Sequence, residues 1–320
     1  MRRHLVARLS QSLIVVVLVA TISFFVIRLA PGDPFSFAAG NVPLAVRDHW
    51  RQIFGFDKPL LEQFGRYVLA VFRGDFGYSF SRKGEVSSVI ADALPRTVLL
   101  VGSALLLSFA IGVTVGVLQA TRRGSWFDRV STGVLVFFYS LPDFWAALMI
   151  LFLFAHRWRL FPTAGIVDPV RYDHWPLWRQ LVDRVDHLVL PLFAFTLVTV
   201  AAIARYQRAA MLEVLPSDYV RTARAKGVPE RDVVWRHALR TALTPMITIL
   251  GLMLPAYLSG AVFIEKVFDW PGLGSLAADS IQKRDYFLVT ATVIVGSIMV
   301  VVGNLIADLL QMALDPRVRE

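Results

Sequence analysis

The sequence predicts an all-α, polytopic membrane protein with about six transmembrane helices, and three observations carry that expectation. Hydrophobic residues make up 56% of the 320 and charged residues only 18%, with a mean hydropathy of +0.58, outside the range of ordinary soluble domains. The apolar residues are gathered into runs with few or no charges, at roughly 9–27, 98–119, 130–155, 188–204, 243–264 and 286–307. A hydrocarbon core about 30 Å thick needs about 20 helical residues, and an open sheet could not satisfy its backbone there. The net charge of +9 then reads as an arginine excess on the cytoplasmic side of a membrane, not as a nucleic-acid surface. Cysteine is absent, which excludes disulfides and thiolate metal sites.

The first run follows Arg2, Arg3 and Arg8. It exceeds the 7 to 15 apolar residues of a secretory signal and reads as a first span entered from the cytoplasm. Six spans put both termini on that side. The segments then assigned to the cytoplasm (1–8, 120–129, 205–242 and 311–320) carry 16 basic and 7 acidic residues, whereas the longer external segments (31–95, 156–187 and 266–285) carry 15 and 14. This density satisfies the positive-inside rule. The chain accordingly divides into a tail and first helix (1–30), an external segment (31–95), a five-helix core (96–310) holding the cytoplasmic loop 205–242, and a tail (311–320).

The external segment opens on the breakers PGDP and continues with Leu60, Phe64, Tyr67, Val68 and Val71 at the spacing of an amphipathic helix. A second short helix, with Val86, Val89, Ile90 and Ala93 on one side, is expected to stop at Pro95. Gly112 and Gly116 form a GxxxG step, whose first meaning is close packing within the chain. In the third run Asp143 follows Pro142; it either lines a pathway or caps a helix broken by the proline. The fourth run is short and contains Pro191.

The loop 205–242 is the most heavily basic part of the chain. Pro216, Ser217 and Asp218 are helix-start residues, Gly227 suits a positive-φ corner and Pro229 suits a second start. The pattern is helix, glycine corner, helix. Val220, Ala223 and Ala225 form the small or apolar side of the first helix, and Val233, Val234 and Ala238 that of the second. A basic amphipathic helix resting on anionic lipid would account for the charge but not for the corner.

These residues resemble the cytoplasmic loop of permease subunits of bacterial ABC importers. Ala223, Gly227 and Leu239 match the general pattern, while Arg221, Thr222, His237 and Arg240 depart from it toward the variant of the oligopeptide, dipeptide and nickel branch. RLAPGDP (28–34), FDKPLLEQFGRY (56–67), GDFGYS (74–79), LPRT (94–97), EKVFDWPGLGSL (265–276), QKRDYF (282–287) and LDPRVR (314–319) extend the likeness over nearly the whole chain. The resemblance implies a type I ABC importer permease fold in the bacterial inner membrane. It also implies a heterodimer with a second permease, two ABC ATPase subunits and an external substrate-binding protein delivering peptides or a related small solute. Tyr219, Arg221, Thr222, Ala223, Ala225, Lys226 and Gly227 would then form the loop that couples to the ATPases. Trp270, Pro271, Gly272 and Gly274, in an interface-anchored turn, would form an external gate or meet the binding protein; Asp143 stays open between lining the path and capping its helix.

The chain has no GxxxxGK[ST] loop, so ATP and Mg are expected on partner subunits and no cofactor on this chain. HExxH and GxSxG are absent, and the six histidines lack ligand spacing. An ion-coupled secondary transporter or channel is the competing class. Such carriers place several ionisable groups near the midplane, and Asp143 and Asp308 are few.

Overall fold

In a computed structural model, residues 2–29, 44–53, 55–258 and 261–314 are described. Apart from a two-residue antiparallel pair, β1 (Tyr78–Ser79) with β2 (Gly84–Glu85), the regular elements among them are helical. The PGDP stretch and LDPRVR beyond Leu314 lie outside the described residues.

Four helices are long and apolar enough to cross a membrane. They belong to α1 (Arg2–Leu29), α4 (Val86–Thr121), α7 (Leu177–Val214) and α13 (Tyr286–Leu314). The third run, expected as a single span, is a bent pair in which α5 (Trp126–Tyr139) meets α6 (Asp143–Arg157) at 103°. The fifth run begins with α10 (Thr244–Leu258), which the helix of the preceding loop, α9 (Glu230–Ala242), meets at 51°. Counting each pair as one span restores six. The third break has a local cause: Pro142 holds φ −61° and ψ 135°, offers no N–H to the preceding turn and pushes Leu141 away from helical geometry.

Pro95 does not stop a helix. It lies within the 36-residue α4, as Pro191 lies within the 38-residue α7, and so α4 runs across the boundary drawn at residue 95. Tertiary packing overrides the local cost of proline: Val86, Ile90, Ala93, Thr97, Leu100 and Val101 are all buried along α4, so turns on both sides of the proline are packed. The fourth run is likewise longer than its apolar stretch, beginning at Leu177.

α4 and α7 form the centre of the core, and the GxxxG step is what lets them approach. A β-carbon on Gly112 would stand 2.7 Å from Ile203 Cγ2, and one on Gly116 would stand 2.7 Å from the Ala204 carbonyl oxygen. The motif therefore serves contact within the chain. α1 is little buried and packs mainly on α13.

Beyond α2 (Leu44–Ile53), the amphipathic segment forms as expected as α3 (Leu60–Phe72). Its aromatic face lies on α1, with Phe64 stacked on Phe25 at 5.3 Å and Tyr67 on Phe24 at 5.0 Å. Gln63 accepts a hydrogen bond from Arg28 at 2.6 Å. The helix is a lid seated on the first span.

Candidate functional site

The basic loop folds as its punctuation predicts. α8 (Asp218–Ala225) starts after Ser217, Gly227 takes φ +77°, and α9 follows Pro229. The corner is a Schellman motif: the Gly227 N–H donates to the Arg224 carbonyl at 3.0 Å and the Val228 N–H to the Ala223 carbonyl at 3.3 Å. Arg224 spans it with two hydrogen bonds to Glu230, at 2.7 and 3.1 Å. Tyr219 donates to Thr241 at 2.9 Å, tying α8 to the end of α9.

Burial then separates the residues singled out in this loop. Val220, Ala223, Val233, Val234 and Ala238 join Met211 and Met246 in one cluster with Val113, Val117 and Ala120 of α4. The apolar side is therefore consumed inside the chain and is not offered to lipid. One expectation needs correction. Ala223 is an anchor in this cluster, as the apolar side requires, but Ala225 is exposed although it was placed on that side, because at two positions past Ala223 it points away from the buried stripe. Tyr219, Arg221, Thr222, Ala225 and Lys226 remain exposed around Gly227.

The neighbouring connection, between α4 and α5, is held by a pair that sequence reading missed. Arg208 of α7 grips the buried Asp128 carboxylate with its Nε at 2.9 Å and an Nη at 3.0 Å, and the Gly124 N–H donates to the same carboxylate at 2.9 Å. Residues 80 positions apart give no local signal of such a bidentate pair.

At the opposite end, the WPGLG stretch is not an exposed turn. Trp270 is 3% accessible and Gly272 and Gly274 are buried; Pro271 alone of the four residues assigned there is partly exposed. The stretch is folded around Glu265 of α11 (Val262–Val267). This fully buried carboxylate accepts from Thr97 Oγ1 at 2.7 Å and from the Ser275 N–H at 2.7 Å, the latter in α12 (Leu273–Gln282). Thr97 Oγ1 in turn accepts from the Leu273 N–H at 2.7 Å, and Trp270 Nε1 donates to the Arg96 carbonyl at 3.1 Å. A β-carbon at Gly272 would fall 2.3 Å from a Glu265 oxygen, so the glycine is required by the carboxylate. Burial raises the Glu265 pKa, and its donors oppose that shift in part. LPRT and EKVFDWPGLGSL, remote in sequence, are thus two halves of one frame. An acidic residue beside an apolar run was the available signal for Glu265.

A second frame joins residues 56, 77–81 and 285–287. Asp285 accepts from Ser79 Oγ at 2.7 Å and from the Ser81 N–H at 3.0 Å. Phe287 presses on Gly77, where a β-carbon would stand 2.7 Å from its ring, and Phe56 packs on Phe287 at 6.0 Å. Arg28 lies 3.7 Å above the Phe56 ring.

Asp143 is the first residue of α6, directly after Pro142 at its N-cap. It borders a cavity of about 240 Å³ with Phe195 and Thr199 of α7, Tyr257 of α10 and Val262 of α11. Among the described residues no cluster of three His, Cys, Asp or Glu could hold a metal.

Comparison with known proteins places the whole chain. Residues 112–320 match the binding-protein-dependent transport system inner membrane component, and residues 1–101 match the N-terminal region of such membrane components. The oligopeptide transport system permease protein AppB of Bacillus subtilis is 37% identical over 320 residues, covering 99% of each chain. The dipeptide transport system permease protein DppB of Escherichia coli K12 is 35% identical over 318 residues, covering 94% of each. The inward-facing MetNI methionine ABC transporter superposes with a TM-score of 0.56 at 18% identity, over 71% of this chain and 96% of that one, which supports the fold. The chain belongs to the binding-protein-dependent transport system inner membrane components: it is a multi-pass permease subunit of an ABC importer, in the branch that holds the oligopeptide and dipeptide permeases.

Proposed function

We propose that this permease carries peptides across a bacterial inner membrane, with both termini in the cytoplasm. It would form the path with a second, non-identical permease and receive its cargo from an external binding protein. Two ATPase subunits, holding ATP and Mg, would seat the corner made by α8, Gly227 and α9. The cargo follows from full-length likeness to an oligopeptide and a dipeptide permease. The loop's role is carried by one observation: its apolar side is buried in this chain, leaving a polar knob of Tyr219, Arg221, Thr222, Ala225 and Lys226 on a rigid corner. That knob suits a groove in a soluble partner better than a lipid surface. The external frame around Glu265, with Trp270, Gly272 and Gly274 inside it, would hold the outer end of the path in shape, leaving Pro271 nearest to the binding protein.

Gly227 supplies the test. A β-carbon there meets no heavy atom within 4 Å, so substitution acts through backbone strain at φ +77°, about 1–2 kcal/mol for an ordinary residue and more for a β-branched one. In vesicles containing all subunits at equal levels, Gly227→Val should lose peptide uptake and receptor-stimulated ATP hydrolysis while still inserting and assembling. Gly227→Ala should retain part of both. Wild-type transport by Gly227→Val would remove the coupling role.

A further inference from the structure

Asp143 stands at the break of the third span. α5 rises about 21 Å over its 14 residues, roughly two thirds of a hydrocarbon core, so the carboxylate that follows lies at membrane depth. It is exposed in this chain, and among the described residues no Lys, Arg or His pairs with it. An unpaired carboxylate at that depth is too costly to face lipid and belongs on a wet path.

The wall beside it is of a particular kind. Phe195, Val198, Thr199, Tyr257 and Val262 line the cavity that Asp143 borders, and Asp143 is its one ionisable carboxylate. The Tyr257 ring meets Phe195 edge-on at 4.8 Å, and Thr199 shares the cavity wall with it. One negative charge set against aromatic faces in an apolar recess is the chemistry that receives an organic ammonium: the carboxylate meets its charge and the rings meet its alkyl and cationic surface. Exposure keeps the charge partly hydrated, so the interaction is weak enough to release what passes.

We propose that Asp143 is a transit site for the primary α-ammonium group of the substrate, contacted after the cargo leaves its binding protein. This rests on the peptide-import reading, which supplies an ammonium in every unblocked peptide.

Because the chain is free of cysteine, the potential in the cavity can be read separately from transport. In the complete reconstituted importer, Val198→Cys would be reacted with a cationic and an anionic methanethiosulfonate reagent, with modification followed by mass on this chain. At about 6 Å in water, one charge changes the local concentration of a monovalent ion roughly threefold. Asp143→Asn should therefore lower the cationic-to-anionic rate ratio about tenfold, and Asp143→Glu should restore it. In the same vesicles, uptake of dialanine, whose α-ammonium is its one cation, should fall at least fivefold in Asp143→Asn and recover in Asp143→Glu, with subunit assembly unchanged by co-purification. An unchanged rate ratio overturns the site whatever the cargo. A lowered ratio with wild-type dialanine uptake overturns its use by substrate, and so does a loss of assembly in Asp143→Asn. Wild-type vesicles that import no peptide at all would defeat the import reading and the ammonium's source with it, while the rate ratio would still report the cavity's charge.

Discussion

Replacing Thr97 by valine keeps the shape of a fully buried side chain and deletes one hydroxyl. That hydroxyl makes two contacts, donating to Glu265 Oε1 at 2.7 Å and accepting the Leu273 N–H at 2.7 Å. Thr97 and Glu265 are 0% accessible and Leu273 is 1% accessible, so water cannot replace either partner. Loss of the hydrogen bond to Glu265 costs about 1 kcal/mol if the carboxyl is neutral and about 1.5–3 kcal/mol if it is ionised. The orphaned Leu273 N–H adds about 1–3 kcal/mol. Together Thr97→Val should destabilise the permease by about 2–4 kcal/mol with a neutral carboxyl and by about 2.5–6 kcal/mol with an ionised one. At an unfolding entropy of about 2.1 cal/mol/K per residue, that lowers the melting temperature by roughly 3–9 °C. The assay is thermal unfolding of the purified importer in detergent. Thr114→Val serves as the control, since it removes an exposed hydroxyl bonded within its own helix, to the Ala110 carbonyl, and should shift stability by less than about 0.5 kcal/mol. Equal small shifts in the two variants would refute the view that the Glu265 frame holds α4, α11 and α12 together.

Two further outcomes are expected. The Glu265 pKa is raised by burial, so its folded-state value exceeds the unfolded one. The stability it contributes is complete below the ordinary glutamate range near 4.3 and is lost as pH rises through the folded value. Unfolding of the wild type measured from pH 4 to 8 should show that loss, Glu265→Gln should lack it, and identical slopes would contradict the assignment. Orientation is checked by single cysteines: Thr222→Cys in α8 should be shielded from an impermeant thiol reagent in intact cells, while Ser88→Cys near the start of α4 should react. Labelling of Thr222→Cys from outside would reverse the topology.

What the sequence determined by itself is whatever depends on neighbours within one or two turns. Apolar runs of bilayer length mark spans because lipid cannot satisfy a free backbone group. The corner at Gly227 is legible because helix starts and a left-handed stop need particular residue types. α3 shows in its spacing because one face must be covered. The tertiary structure decided what depends on residues far apart. It carried α4 through Pro95, since burial along a whole helix outweighs one missing hydrogen bond, yet let Pro142 break the third span, where α5 keeps only Asp128 buried. It also turned WPGLG inward. Nothing in five residues of that stretch says that Thr97, 168 positions away from Glu265, supplies the hydroxyl its carboxylate needs, or that the glycine exists to admit that carboxylate. A buried polar group must find its partner wherever the fold brings one, and that choice is written in three dimensions, not in local order.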